Sequence, residues 1–356
     1  MDFRIFDAAD HRDRIAWIEL WREWPKREVF AHPDYVRLYA TPHAKALCVA
    51  ARENGGCVLY PFLLREIGSE PWCHPSLGRY TDIATAYGYG GPFRWGTVWD
   101  SDTVERFWQK FDNWATAVNA ISETIRLSLT PSDLLDYPGK RLVVSDNVVV
   151  TLKPEDELWR TFEHKVRKNV NRARSSGVTI RLDEGGDLLE RFLSIYTATM
   201  DRRDAAKTYY FPRGYFESIR SELNGQSAWF HAFVADTLVS SELVLVSSTR
   251  IYSFLGGTDA SWFHLRPNDL LKVEIMNWAH AAGKKEFVLG GGYTRGDGIY
   301  RYKLSFAPSG AVPFSIGSRI LDSAACERLV QSRHAFSAER GVSWHPHPNY
   351  FPPYRA

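Results

Sequence analysis

Residues 265–292 read LRPNDLLKVEIMNWAHAAGKKEFVLGGG. Arg266-Pro267-Asn268 opens a helix, because the fixed φ of proline suits the first helical position and its missing N–H would have been unpaired there anyway. Leu271, Ile275, Trp278 and Ala282 then share one face. Gly283 closes the helix, with Lys284 and Lys285 at its negative end. An apolar strand over 286–289 follows at once and runs into three glycines.

Working outward, residues 228–235, 239–247 and 250–256 predict three successive strands, preceded by helices over 187–200 and 213–223 and a strand over 178–182. A central antiparallel set of strands flanked by helices, without strict alternation, defines an α+β class with a mixed sheet. Further upstream a single helix is predicted from Pro154, with Glu155, Asp156 and Glu157 in its first turn, to Gly177. Its buried stripe is Leu158, Phe162, Val166, Val170 and Ala173. In the first 150 residues, strands over 46–51 and 57–64 flank the turn signal Glu53-Asn54-Gly55-Gly56. A Gly- and Tyr-rich loop at 87–92, a helix near 101–120 and strands over 124–129 and 146–152 complete that half. With 356 residues the chain exceeds one ordinary core, which predicts two domains of roughly 150–180 residues.

Composition narrows the function classes. The formal charge of +2 gives no general electrostatic footprint for DNA. No apolar run of about 18 residues is present, and the start, MDFRIFDAADHRDR, mixes both charge signs where a signal peptide would not, so a cytoplasmic location is expected. Cys48, Cys57, Cys73 and Cys326 fit reduced thiols and no zinc spacing. His345 and His347, beside prolines, read as a surface tail, so no metal is expected.

Several segments could carry chemistry. Gly290-Gly291-Gly292-Tyr293-Thr294-Arg295-Gly296-Asp297-Gly298 starts like a phosphate loop, but Asp297 stands where a P-loop needs Lys, and Arg295 where a dinucleotide fingerprint needs Gly. It reads either as a plain loop or as a backbone surface that a ligand approaches closely. On the helix before Gly177, Lys165, Arg167, Lys168, Arg172 and Arg174 form a run of cations with no acid among them. Such a run is a solvated face or the seat of an anion. Arg202-Arg203 and Lys207-Thr208-Tyr209-Tyr210 offer forks for phosphate and rings for stacking, or decorate the surface. Tyr87 and Tyr89, on a glycine-rich segment, suit a pocket rim or a structural turn.

The ordered set Trp159, Arg167-Lys168-Asn169-Val170-Asn171-Arg172-Ala173, Gly177, Tyr196, Arg202-Arg203, Tyr215-Phe216, Tyr252, Gly256-Gly257, Leu265-Arg266-Pro267-Asn268-Asp269-Leu270-Leu271, Leu289-Gly290-Gly291-Gly292 and Tyr302-Lys303-Leu304-Ser305-Phe306 resembles the Fem family of aminoacyl-tRNA-dependent transferases and their acetyltransferase-superfamily relatives. The likeness spans about residues 80–306. Asp82-Ile83 and Tyr87 to Pro92 resemble the envelope-polysaccharide branch. The resemblance implies two tandem GNAT-like domains, 1–150 plus about 311–356 on the acceptor side and 151–310 on the donor side, with mixed central sheets flanked by helices. It also implies that Lys303 stands at the reaction centre, its ammonium stabilising the oxyanion formed when an amine attacks an acyl carbonyl. Arg167, Lys168, Arg172 and Arg202 would bind phosphates, Tyr87 and Tyr89 edge the acceptor pocket, and Tyr209 bind substrate. Gly290, Gly291 and Gly292 would let the donor carbonyl approach. Asp82 or Asp297, or the substrate itself, would take the amine proton.

Two departures shape the expectation. Peptidoglycan-specific members often carry an acid after the Gly-Pro pair, whereas Gly91-Pro92 is followed by Phe93-Arg94-Trp95, which speaks against a muropeptide acceptor. Acetyltransferases hold the coenzyme A pyrophosphate on an Arg/Gln-x-x-Gly-x-Gly/Ala loop at a helix N-terminus, but this chain has His264-Leu265-Arg266-Pro267-Asn268-Asp269. The expectation is therefore an aminoacyltransferase with aminoacyl-tRNA as donor, a small-molecule or envelope-precursor amine as acceptor and no bound cofactor. An acyl-CoA-dependent N-acyltransferase acting on an amino sugar or polysaccharide precursor is one alternative, and a non-catalytic RNA- or nucleotide-binding module another.

Overall fold

The computed structural model describes residues 1–347 and 350–356. They divide into two compact units, one made of residues 1–25, 30–144 and 314–356, the other of residues 26–29 and 145–313. The short segment 26–29 was not separable by sequence pattern. It joins the second unit through Glu28, which is buried and accepts hydrogen bonds from Arg250 Nη1 (2.9 Å) and Tyr252 Oη (2.6 Å).

In the first unit, β1 (Asp2–Asp7), α1 (His11–Glu23), α2 (Pro33–Arg37), β2 (Ala44–Glu53), β3 (Gly56–Glu66) and β4 (Thr81–Ala84) are followed by β5 (Phe93–Gly96), α3 (Ser101–Ala117) and β6 (Ala120–Arg126). The predicted hairpin has its tight turn at Asn54 and Gly55, with φ of 50° and 78°, the left-handed pair that matches strand twist in a two-residue loop. Strands β1 to β4 pair antiparallel in chain order, β5 adds to β3, and β4 pairs parallel with β6.

The chain passes into the second unit within β7 (Lys140–Thr151), and that unit contains α4 (Glu155–Thr161), α5 (His164–Ser175), β8 (Val178–Asp183), α6 (Leu189–Arg202), α7 (Arg213–Glu222), β9 (Ser227–Val234), β10 (Thr237–Val246), β11 (Arg250–Thr258), α8 (Pro267–Ala281), β12 (Glu286–Gly290) and α9 (Gly298–Leu304). Here β8 to β11 pair antiparallel in chain order, β11 pairs parallel with β12, and β12 pairs antiparallel with β7. The chain then re-enters the first unit through β13 (Ala311–Ile320), antiparallel to β6, and α10 (Ser323–Ala338).

Apart from the added β5, the two units repeat one plan: strand, two helices, three strands, helix, and a strand parallel to the fourth, with one more antiparallel strand beside it. That last strand comes late in the chain for the first unit and early for the second. Each helix between the parallel strands, α3 or α8, supplies the crossover that parallel pairing needs. The architecture is the expected α+β tandem of GNAT-like units, with mixed sheets flanked by helices.

One predicted helix is two. Between α4 and α5, Phe162 and Glu163 adopt extended ψ values of 145° and 151°. The break turns the Phe162 ring onto Phe306, 5.8 Å between centroids, and gives the Glu163 N–H to Ser305 O at 2.9 Å. Val166, Val170 and Ala173 keep the expected buried face of α5.

Candidate active site

Strand β11 pairs with β10 along most of its length but with β12 only at Arg250–Tyr252. Beyond Tyr252 the parallel strands part. The freed edge of β11 lines a cleft of about 840 Å³, together with the end of α6, the first turns of α8 and the helix α9. The cleft lies wholly within the second unit.

Lys303 lies on α9 and reaches this cleft. Its Nζ donates to Gly291 O at 2.7 Å. Burial, and then the neighbouring Lys272 ammonium, push its pKa down to about 8 against the pull of Glu242 and Asp297. Lys272 itself is buried and forms an ion pair with buried Glu242, and it donates to Ser253 Oγ at 2.7 Å. Sequence periodicity did not mark this pair. The available signal was one acid, Glu242, inside an otherwise apolar and small-residue strand, and one Lys on the apolar side of α8.

Asp297 caps α9. Its carboxylate accepts the backbone N–H groups of Tyr293 (2.7 Å), Thr294 (3.0 Å) and Tyr300 (2.8 Å), and these bonds lower its pKa. Asp297 also lines the cleft, where these three bonds make it a weaker base than a free carboxylate. Asp82, the other carboxylate expected to take a proton, is fully buried in the first unit, bound by Arg65 Nε (2.6 Å), Tyr354 Oη (3.1 Å) and Arg355. It is a structural anchor with no opening to solvent.

The glycine run has an internal cause. A Cβ at Gly292 would stand 2.2 Å from Asp297 Oδ1, and one at Gly291 2.8 Å from Asn147 Oδ1, while Gly290 holds φ of +78°. None of the three is among the residues that line the cleft. What the run offers the cleft is the Gly291 carbonyl that holds Lys303.

Of the residues expected to bind phosphate, Arg202 lines the cleft, with Nη1 on Thr258 O at 3.0 Å and its guanidinium 4.9 Å from the Phe263 ring centroid. Arg203 and Arg266, both exposed, share that wall. Arg167, Lys168 and Arg172 lie outside it on α5, and Arg167 donates to Phe162 O. The run of cations is also less bare than its sequence implied, because Arg174 is paired with Glu155 (3.0 Å) and Glu274 (2.9 Å), acids supplied by α4 and α8. Tyr209 is outside the cleft as well, its carbonyl accepting from Tyr196 Oη at 2.5 Å. In the first unit, Tyr87 is 45% exposed, whereas Tyr89 is half-buried between Phe30 and Phe314, with ring centroids at 5.4 and 5.8 Å.

The N-terminus of α8, where a coenzyme A loop would lie, departs from that pattern in shape as well as in sequence. Arg266 holds the left-handed conformation, φ 60°, at a position where glycine would be relaxed. Asp269, buried in the first helical turn, accepts from Asn169 Nδ2 at 3.0 Å. The helix end therefore carries a carboxylate of its own against its dipole.

Residues 160–304 match the acetyltransferase (GNAT) domain family. Over nearly the whole chain the fold is similar to that of a crystal structure of FemX, with a TM-score of 0.68 at 14% identity, covering 92% of this chain and 99% of that one. A conserved protein of unknown function from Bacteroides thetaiotaomicron VPI-5482 follows the fold at TM-score 0.58 and 11% identity, covering 90% and 99% of the two chains. The C-terminal DUF2156 domain of an Agrobacterium fabrum protein assigned as a lysylphosphatidylglycerol synthetase does so at 0.53 and 15%, covering 90% and 97%. No curated protein sequence matches the chain. Residues 160–304 thus match a GNAT-type domain, and the whole chain has a GNAT-like fold. More particularly, it has the Fem-like tandem fold that its sequence resembles. No helix among the described residues is long and apolar enough to cross a membrane.

Proposed function

We propose that the protein is a Fem-like aminoacyltransferase, joining an amino acid carried as an ester on tRNA to an amine of a small-molecule or cell-envelope precursor. The observation that carries this reading is Lys303, fixed on Gly291 O at the cleft with two N–H donors left over. The acceptor amine attacks the ester carbonyl, the C–N bond forms, and the carbonyl oxygen takes up the negative charge that the Lys303 ammonium stabilises. The ester C–O bond then breaks, and the amine proton goes to the departing ribose oxygen through the substrate itself or water. Such a fixed donor in a water-poor site contributes a few kcal/mol to the transition state. Arg202, Arg203 and Arg266 supply cations for the phosphates of the donor, and the exposed Lys168 and Arg172 suit a longer nucleic-acid backbone.

A second reading, an acyl-CoA-dependent N-acyltransferase, draws on the freed edge of β11, whose backbone groups could bond an amide-bearing arm. The occupied end of α8 weighs against it. The test is a filter assay with the full chain, a panel of amine acceptors, and either charged tRNA or acetyl-CoA. Product from charged tRNA that disappears in Lys303→Ala supports the first reading. Product and thermal stabilisation with acetyl-CoA alone replace it with the second. RNA binding with no acyl product from either donor would leave only a non-catalytic module.

A further inference from the structure

Arg126 closes β6 in the first unit, and the chain around it is unusually fixed. Its backbone N–H donates to Thr85 Oγ1 at 2.9 Å, and its carbonyl accepts from Gly90 N at 2.6 Å. The Nε donates to Gly88 O at 3.1 Å. The guanidinium carbon lies 5.0 Å from the Tyr87 ring centroid and 4.8 Å from that of Phe314. The loop that carries Tyr87 is held in turn: Gly88 has φ of +103°, where a Cβ would meet the Phe30 ring at 2.3 Å, and the Tyr87 carbonyl accepts from Tyr35 Oη at 2.7 Å.

Among the described residues no carboxylate pairs with Arg126, and its two terminal nitrogens have no acceptor. Three other arginines of the first unit, Arg65, Arg319 and Arg355, pair instead with buried acids. A half-buried guanidinium flanked by two rings has lost much of its hydration, and cations in that condition are normally paired. Its planar fork, already oriented, matches a carboxylate or phosphate at two points with little further loss of side-chain freedom.

We infer that Arg126, flanked by Tyr87 and Phe314, is an anion-recognition residue of the first unit that takes a carboxylate or phosphate of the acceptor molecule. This rests on the reading that the first unit serves the acceptor. It adds a chemical class: the amine to be acylated belongs to a molecule that also bears an anionic group, and the exposed Tyr87 ring covers the part beside that group.

The test needs neither donor nor turnover. In the 15N-labelled full chain, the Nε–H resonance of Arg126 is identified by its disappearance in Arg126→Lys, with the thermal midpoint of that variant confirming an intact fold. Inorganic phosphate and acetate are then titrated separately at constant ionic strength. A saturable shift of that resonance with phosphate alone assigns a phosphorylated acceptor, one with acetate alone a carboxylate, and one with both an anion site open to either. No saturable shift with either anion overturns the inference. An amide-forming activity that survives such a null leaves the Lys303 reading intact, and an anion response without any activity does the reverse. Once an acceptor is in hand, Arg126→Gln should raise its KM by about tenfold or more, the factor that one charge-assisted hydrogen bond carries, with kcat little changed.

Discussion

The ammonium of Lys303 and the carbonyl of Gly291 lie 2.7 Å apart, so a residue from the glycine run positions the cation that the run was expected to expose to a donor. If Lys303 stabilises an oxyanion, Lys303→Met should lower kcat by roughly 10²–10³, the loss seen when one such donor is removed. Because the active form is the ammonium, wild-type kcat should fall as pH rises through about 8. A rate that instead climbs through that pH would make Lys303 a base and reject the assignment. Stability has its own sign. The folded pKa is below the ordinary 10.5, so the unfolded chain binds more protons between about pH 8 and 10.5, and wild-type stability rises with pH across that window. The Met variant should lack this rise, which urea unfolding at several pH values would measure.

Glu242 and Lys272 should behave as a buried pair. Both line the cleft floor and neither has appreciable exposure. Replacing Glu242 with Gln leaves a buried ammonium uncompensated and should cost roughly 3–5 kcal/mol, as should Lys272→Met for the carboxylate, whereas the double replacement Glu242→Leu with Lys272→Met should recover most of the loss. Single changes that cost less than about 1 kcal/mol in urea unfolding would show the pair to be solvated.

How much of this was legible depends on whether the cause was local. The Asn54-Gly55 turn and the start of α8 at Pro267 are decided by a few adjacent residues, and both stand where the spacing puts them. The break at Phe162 was invisible because the residues that reward it, Ser305 and Phe306, lie more than 140 positions away, and the stripe Leu158, Phe162, Val166 fits a continuous helix equally well. At the site, Lys303 and Arg202 share the cleft. The rest of the expected phosphate set does not, since a charge run says which helix face is wet and nothing about what that face borders. The glycines at 290–292 illustrate a related limit of spacing: a small residue reports that something comes close, and the neighbours found here include the chain's own Asp297 and Asn147.

Asp297 gives a second, independent check on that loop. Asp297→Ala removes the acceptor for three backbone N–H groups and should lower stability by roughly 1 kcal/mol, the scale of a lost helix cap, while lowering kcat further because α9 carries Lys303. Its carboxyl pKa is depressed in the folded state, so its contribution is present above the unfolded value near 3.8 and fades as pH falls through the lower folded value. Gly292→Ala should mimic the kinetic defect with the carboxylate still in place, since its new Cβ would displace that group. Wild-type kcat in both variants would mean that Lys303 keeps its position without the loop.

Asp82 offers the clearest separation of structure from chemistry. It ties β4 to Arg65 and to the C-terminal residues Tyr354 and Arg355, and Tyr354, fully buried, also bonds Ser122 at 2.6 Å and packs on Trp72. Asp82→Asn leaves two guanidinium groups facing a neutral amide in the interior and should destabilise the first unit by roughly 3–5 kcal/mol. Removing residues 354–356 should cost a similar amount, and the two changes together should cost much less than their sum because they break the same network. Below its lowered unfolding temperature, Asp82→Asn should turn over at near the wild-type rate per folded molecule. A fully folded Asp82→Asn enzyme that has lost a hundredfold or more in kcat would return Asp82 to the list of proton acceptors and remove it from the anchors of the fold.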